Sequence, residues 1–206
     1  MSGDGSLIPI SDEQAKAIQE ALKTLQGLGG FLEKTFGTVP QDIVALLGGN
    51  WLKVRRAENL FRILEKSRER LKARHVEPDP PSLSISLPIF EAAADESRDE
   101  LQDIWSRLLA AAADPARAKF FRLAFVQAAK RLDSLDASVL ERAITSEQGR
   151  LNLQVRNNLV DALKVTRDQI DVSVENLIKL DLAIRIEMQN VVVTAFGREF
   201  LRAVSD

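Results

Sequence analysis

The side chains best suited to chemistry are scarce in this chain and poorly placed to act together. His75 is the only histidine and cysteine is absent, which excludes disulfides, zinc-thiolate sites and cysteine nucleophiles at once. A Ser/His/Asp relay would have to use His75, which falls at a predicted helix end beside a proline-containing segment. The glycines from Gly27 to Gly30 lack the lysine and the flanking strand that a phosphate-cradling loop requires. Glu91, Asp95, Glu96, Asp99, Glu100 and Asp103 form an acidic run whose four-residue spacing can gather carboxylates for a hard cation. No nitrogen ligand accompanies them, so the run is expected to be a solvated carboxylate face near a helix start. The sequence therefore supplies no catalytic residue, no metal ligands and no cofactor motif, and points away from an enzyme.

Residues suited to binding are more plentiful. Nine Lys/Arg lie between Lys53 and Arg74, interleaved only with Glu58, Glu65 and Glu69. Arg55, Arg56, Arg62 and Lys66 are the candidate contacts here, for a phosphate-rich or acidic partner such as nucleic acid or a membrane surface. The alternative is a solvated face on which Glu58 pairs with Arg62 and Glu65 with Arg68, each pair worth roughly a few tenths of a kcal/mol. Trp51 and Trp105 are candidate packing residues or partner anchors. Near the C-terminus, Ser173, Asn176 and Lys179 sit on a helix that can reach a nucleic acid or a partner. Asp168, Asp171, Glu175 and Asp181 on the same stretch oppose only Arg167 and Lys179, which disfavours contact with a phosphate backbone. The Gly-punctuated apolar segment from Leu28 to Trp51 suits either a membrane interface or ordinary packing.

These residues need elements to hold them. The chain has 206 residues, 45% of them hydrophobic, with a formal charge of −2; that is enough to bury a real core, with no bulk attraction for nucleic acid or anionic lipid. Met1 to Ile10 lacks the features of a signal peptide and no apolar stretch approaches the roughly 20 residues of a membrane span. A cytoplasmic location is the expectation. Apolar periodicity predicts a mainly α fold: a helical bundle followed by a C-terminal winged-helix-like module with a small β-hairpin. The N-terminal helical region spans 1–77. Within it Ser11 caps a helix carrying Ile18, Leu22, Leu25 and Leu28, which Gly29 and Gly30 end. A short helix follows near Asp42 to Leu47, then the basic helix from Leu52 to about Arg74. Residues 78–87, opening Pro78 to Pro81 and running on in a Ser/Leu alternation, are the proline-containing linker, with Pro88 as the first residue of the next helix. The central helical bundle occupies 88–133, its clearest stripe being Leu101, Ile104, Trp105, Leu108 and Leu109. In the module, 134–206, two short helices flank a polar stretch through Asn152. Thr166 and Gln169 form a capping box for a third helix, Leu182, Ile184 and Ile186 alternate in a strand, Val191 to Val193 return, and Thr194 caps a last helix.

Three stretches in this order resemble the abortive infection alpha family of bacterial proteins. WLKVRRAENLFRIL, from Trp51 to Leu64, is similar to the family's Trp/Arg/Asn-bearing helix, and ELQDIWSRLLAAAAD, from Glu100 to Asp114, to its central acidic-then-Trp helix. VSVENLIKLDL (Val172 to Leu182) with VTAFGREFL (Val193 to Leu201) resembles its winged-helix ending. Asp181 stands where the family pattern has glycine, a position that calls for a left-handed residue after a helix; aspartate tolerates that conformation better than most. The resemblance implies a role in defence against phage; with no reactive site in the sequence, the expected mode is protein contact, with a phage-derived partner or with a second copy of the chain. The residues leave open two other roles, a winged-helix transcriptional regulator and a peripheral membrane effector using the N-terminal segments.

Overall fold

The computed structural model describes residues 16, 19, 23, 29–36, 50–145, 150–187 and 190–205, with backbone alone at 35, 36, 50, 51, 53, 144, 145, 150, 153 and 187. The predicted apolar face of the first helix, the short helix near Asp42 to Leu47 and the side chain of Trp51 lie outside the described residues.

Among the described residues, ten helices and three short strands make the fold mainly α, as the periodicity requires. α1 (Gly29–Phe36) is followed by α2 (Asn50–Ala73), α3 (Leu83–Asp95) and α4 (Asp99–Ala113). α2 buries Ala57, Leu60, Ile63, Leu64 and Leu71, and α4 buries Leu101, Ile104, Trp105, Leu108 and Leu109. These stripes repeat every three or four residues, so each helix turns one continuous face to its neighbours. α2 and α3 run antiparallel, Asn59 near the start of α2 donating to the carbonyl of Ala94 near the end of α3 at 3.1 Å. α5 (Pro115–Ala118) and α6 (Leu123–Ala129) complete the body.

Two expectations fail here. Gly29 and Gly30 are themselves helical and open α1, in which Leu32 is fully buried, where a break in the helix was expected; the end of the preceding helix lies outside the described residues. Pro88 is not a first helical residue: it is the sixth of α3, which starts five residues earlier at Leu83. Proline at that position removes only the bond to the carbonyl of Ser84, whose residue is exposed to water. The first turn is secured by the N–H groups of Ile85 and Ser86, both bonded to Ser82 O, and burial of Ile89 and Phe90 offsets the loss. The non-helical part of the proline segment is tied to the body through Asp79 N–H and Ala113 O at 2.8 Å.

The C-terminal part runs α7 (Ser134–Thr145), β1 (Arg150–Leu151), α8 (Leu153–Leu163), α9 (Arg167–Lys179), β2 (Ala183–Glu187), β3 (Asn190–Val193) and α10 (Ala195–Ala203). The helix order and the hairpin agree with expectation. β1 was not expected: two residues of the polar stretch pair with β3, Arg150 opposite Val192 and Leu151 opposite Val191, giving an antiparallel sheet of order β1-β3-β2. The capping box at Thr166 and Gln169 is present. Asp181 is left-handed, φ 57°, and closes α9 through bonds from its own N–H to Ile178 O and from Leu182 N–H to Leu177 O, both 3.0 Å. His75 and Lys164 end α2 and α8 in the same way. Thr194 caps α10 by accepting from Gly197 N at 2.9 Å.

Candidate interaction surfaces

The basic helix and the acidic run, separate features in the sequence, meet at two ion pairs. Arg56 on α2 grips Asp95 at the end of α3 with two bonds, 2.6 and 2.8 Å; that hydrogen-bonded carboxylate holds the guanidinium's pKa above its ordinary value, against the opposing effect of burial. Arg70 bonds Asp103, which also takes Arg107 at 2.9 Å, and Arg74 reaches Asp114 at 3.5 Å. The expected pair of Arg68 with Glu65 forms at 2.8 Å, whereas among the described residues Glu58 and Arg62 are not joined by an ion pair. Asp95 and Asp103 are thus interhelical partners, but Asp95, like Glu91, is still exposed to solvent; within the run only Glu96 is buried, so the solvated face is interrupted there. Asp99 and Glu100 remain exposed in the first turn of α4, where the helix dipole favours them. Among the described residues no three His, Cys, Asp or Glu side chains gather as metal ligands. Of the four candidate contacts on α2, Arg55 and Arg62 point to solvent, Lys66 is half-buried and Arg56 is committed to Asp95.

Trp105 is 2% exposed. It borders a cavity of about 600 Å³ whose wall also includes Arg56, Glu96, Arg98 and Lys130, so two of the candidate residues, Arg56 and Trp105, meet there. Glu96 is 8% exposed. Burial pushes its carboxyl up, but bonds at 2.9 Å from the side chain and the backbone N–H of Arg98 outweigh that and hold it below its ordinary value. Arg98 continues to Asp133 at 3.0 Å. The balance of charge in this cavity favours structural ion pairing over proton transfer.

On α9, Ser173, Asn176 and Lys179 line one groove of about 550 Å³ together with Asp133, Asp136 and Val172. Their availability differs. Ser173 is 3% exposed. The amide nitrogen of Asn176 donates to Arg131 O at 3.0 Å and to Asp136 Oδ2 at 2.6 Å, so it fastens the C-terminal part to the body. Ser173 and Asn176 are consequently not free base-reading or partner-reading groups; Lys179 alone is exposed. A helix used to touch DNA would need its polar face outward, and here that face carries exposed Asp168 and Glu175.

The hairpin holds the residues that periodicity alone could not place. Directly opposed residues in an antiparallel pair share a face. Ala183 opposes Val193 and Arg185 opposes Val191, and Val191, Val193 and Ala183 are buried. Arg185, on that inner side, bonds Glu175 of α9. Ile184, opposite Val192, and Ile186 therefore face outward, 52% and 51% exposed. An antiparallel sheet with one wet face normally carries its polar residues there; β2 instead presents two isoleucines to solvent, while its Arg185 makes an exposed ion pair with Glu175. Val192 is half-buried between β1 and β2 on the same outer face. This apolar sheet face is the surface that the candidate residues missed.

A family model described as abortive infection alpha matches residues 55–191, a span that takes in α2 through the middle of the hairpin. No curated protein and no solved structure matches the chain.

Proposed function

The chain belongs to the abortive infection alpha family, and from that premise we propose that it limits phage infection non-enzymatically, from the cytoplasm, by docking onto a protein partner. The observation that carries this reading is the outward apolar face of the hairpin. Two isoleucines about half exposed on one strand have little role in the monomer's own core, and burying them against a partner releases roughly 25 cal/mol per Å² of apolar surface. The order helix, strand, helix, helix, hairpin, helix supports a winged-helix-like reading of the C-terminal part, with the hairpin as the wing. The same order serves DNA readers. That use is disfavoured by the acids of α9 and by the internal bonds of Asn176, because a groove-reading helix gains its affinity from cations and free amides.

Nucleic acid and membrane remain the two competing targets. No described helix is long and apolar enough to cross a membrane, and three arginines of the basic helix are already engaged with acids of the body, which weakens its pull on phosphate. The test is to express the chain in a susceptible bacterium and challenge it with a broad phage panel. The expected result is reduced plating for a subset of the panel; unchanged plating throughout would contradict a defence role. Fluorescence anisotropy of labelled duplex DNA at low and moderate salt is expected to show no specific binding, and a sequence-selective complex would move the reading to a transcriptional regulator.

A further inference from the structure

A second surface, on the opposite edge of the sequence's aromatic cluster, has a different chemistry. Between the end of α4, α5, the turn after it and α10 lies a cleft of about 510 Å³. Ala111, Ala116 and Ala203 supply small apolar side chains to its lining. One wall is Phe121 and Phe125, fixed in an edge-on contact at 5.8 Å, with Phe125 held in turn by Phe196 and Phe200 at 5.5 and 6.0 Å. Phe120, at the rim, is left out of that cluster and stands 62% exposed.

The rim is cationic. Among the described residues, Arg117, Arg122 and Arg202 border the cleft with one acid, Glu199, which is paired with Arg202. Arg117 holds the end of α10 through the carbonyls of Arg202 and Ser205. Arg122 is exposed and, among the described residues, carries no ion pair, and Lys119 sits 5.0 Å from the centroid of the Phe120 ring. In a chain with a formal charge of −2, Arg122 and Lys119, which among the described residues carry no ion pair, thus stand beside an exposed aromatic ring and a small apolar lining.

We propose that this cleft binds a nucleotide, its planar base stacked against Phe120 over the alanine lining and its phosphate met by Arg122 and Lys119. Stacking on an exposed ring is tolerant of base identity, and guanidinium matches phosphate in both charge and geometry. The cleft joins α4 and α5 of the body to α10, so a bound nucleotide would bridge the two parts of the molecule. This site is separate from the hairpin face, and its variants leave that face untouched.

The experiment is calorimetric titration of the full chain with adenosine monophosphate, and separately with adenosine and with inorganic phosphate. The nucleotide is expected to bind at least about tenfold more tightly than either half, since base and phosphate would each contribute free energy. Phe120→Ala and Arg122→Ala should each weaken binding by at least about fivefold with the melting temperature unchanged, because both side chains are exposed. Phe120→Trp should retain binding and report it by fluorescence quenching. No nucleotide binding at millimolar concentration, phosphate binding as well as the nucleotide, or indifference to both alanine variants would each overturn the proposal. An acidic peptide that binds the same cleft in preference to the nucleotide would do so too.

Discussion

Glu96 shows how a single residue can be misread as part of a charge run. In the sequence it is one of six neighbouring acids; in the fold it is buried where α3 turns into α4, bonded to Arg98, while its own backbone carbonyl accepts from Gln102 at 2.9 Å. Gln102, fully buried, also reaches toward Asn59 of α2, so the turn, α2 and α4 share one polar knot. The carboxyl is held below its ordinary value of 4.5. Its contribution to stability is therefore complete above that value and is lost as the pH falls through the lower folded-state value. Thermal melting between about pH 6 and pH 3 checks this, a window set by the carboxylate range: Glu96→Gln should be less stable than the parent at neutral pH and should lose less stability on acidification. Equal slopes for both proteins would remove Glu96 from the acid response. None of this was legible beforehand, because periodicity says which side of a helix is charged and not which charge meets a partner on another helix.

Among the elements, legibility followed the strength of the local signal. α2 and α4 could be read because apolar residues recur over many turns, and the start of α9 because Thr166 and Gln169 satisfy each other's backbone N–H groups. β1 was hidden because a two-residue strand has no periodicity of its own and exists only through pairing with Val191 and Val192. The hairpin was half-read. Alternation in Leu182 to Glu187 separates two faces, but which one is buried is decided elsewhere, by the inward Val191 and Val193 and by the packing of α10 against the backbone at Leu182. Gly197 makes that packing possible: a Cβ there would lie 2.0 Å from Leu182 O and 2.7 Å from Val193 Cγ1. Backbone cannot retreat as a flexible side chain can, so Gly197→Ala should destabilise the chain by roughly 2–4 kcal/mol, read from urea denaturation. A change below about 0.5 kcal/mol, the range of ordinary surface substitutions, would show that α10 does not pack as described.

For the molecule as a whole, the body and the C-terminal part share one hydrophobic core, with Phe125 packed on Phe196 and Phe200, and polar ties are added by Asn176 and Arg98 around Asp133 and the start of α7 and by Arg117 at the end of α10. Part of the charge that looked available for partners, Arg56 above all, is spent on internal contacts, and two further surfaces stand out, the exposed isoleucines of the hairpin and an aromatic, cationic cleft. That is the physical basis for reading this family member as a docking protein. The most direct measurement is plating of a phage restricted by the parent chain on cells expressing Ile184→Ser/Ile186→Ser at equal level. Exposed substitutions of this kind should change folding stability little, by about 0.5 kcal/mol each, which a melting curve verifies. The account predicts that the double variant melts with the parent and that plating returns to the level of cells without the protein; a stably folded double variant that protects as well as the parent would contradict it.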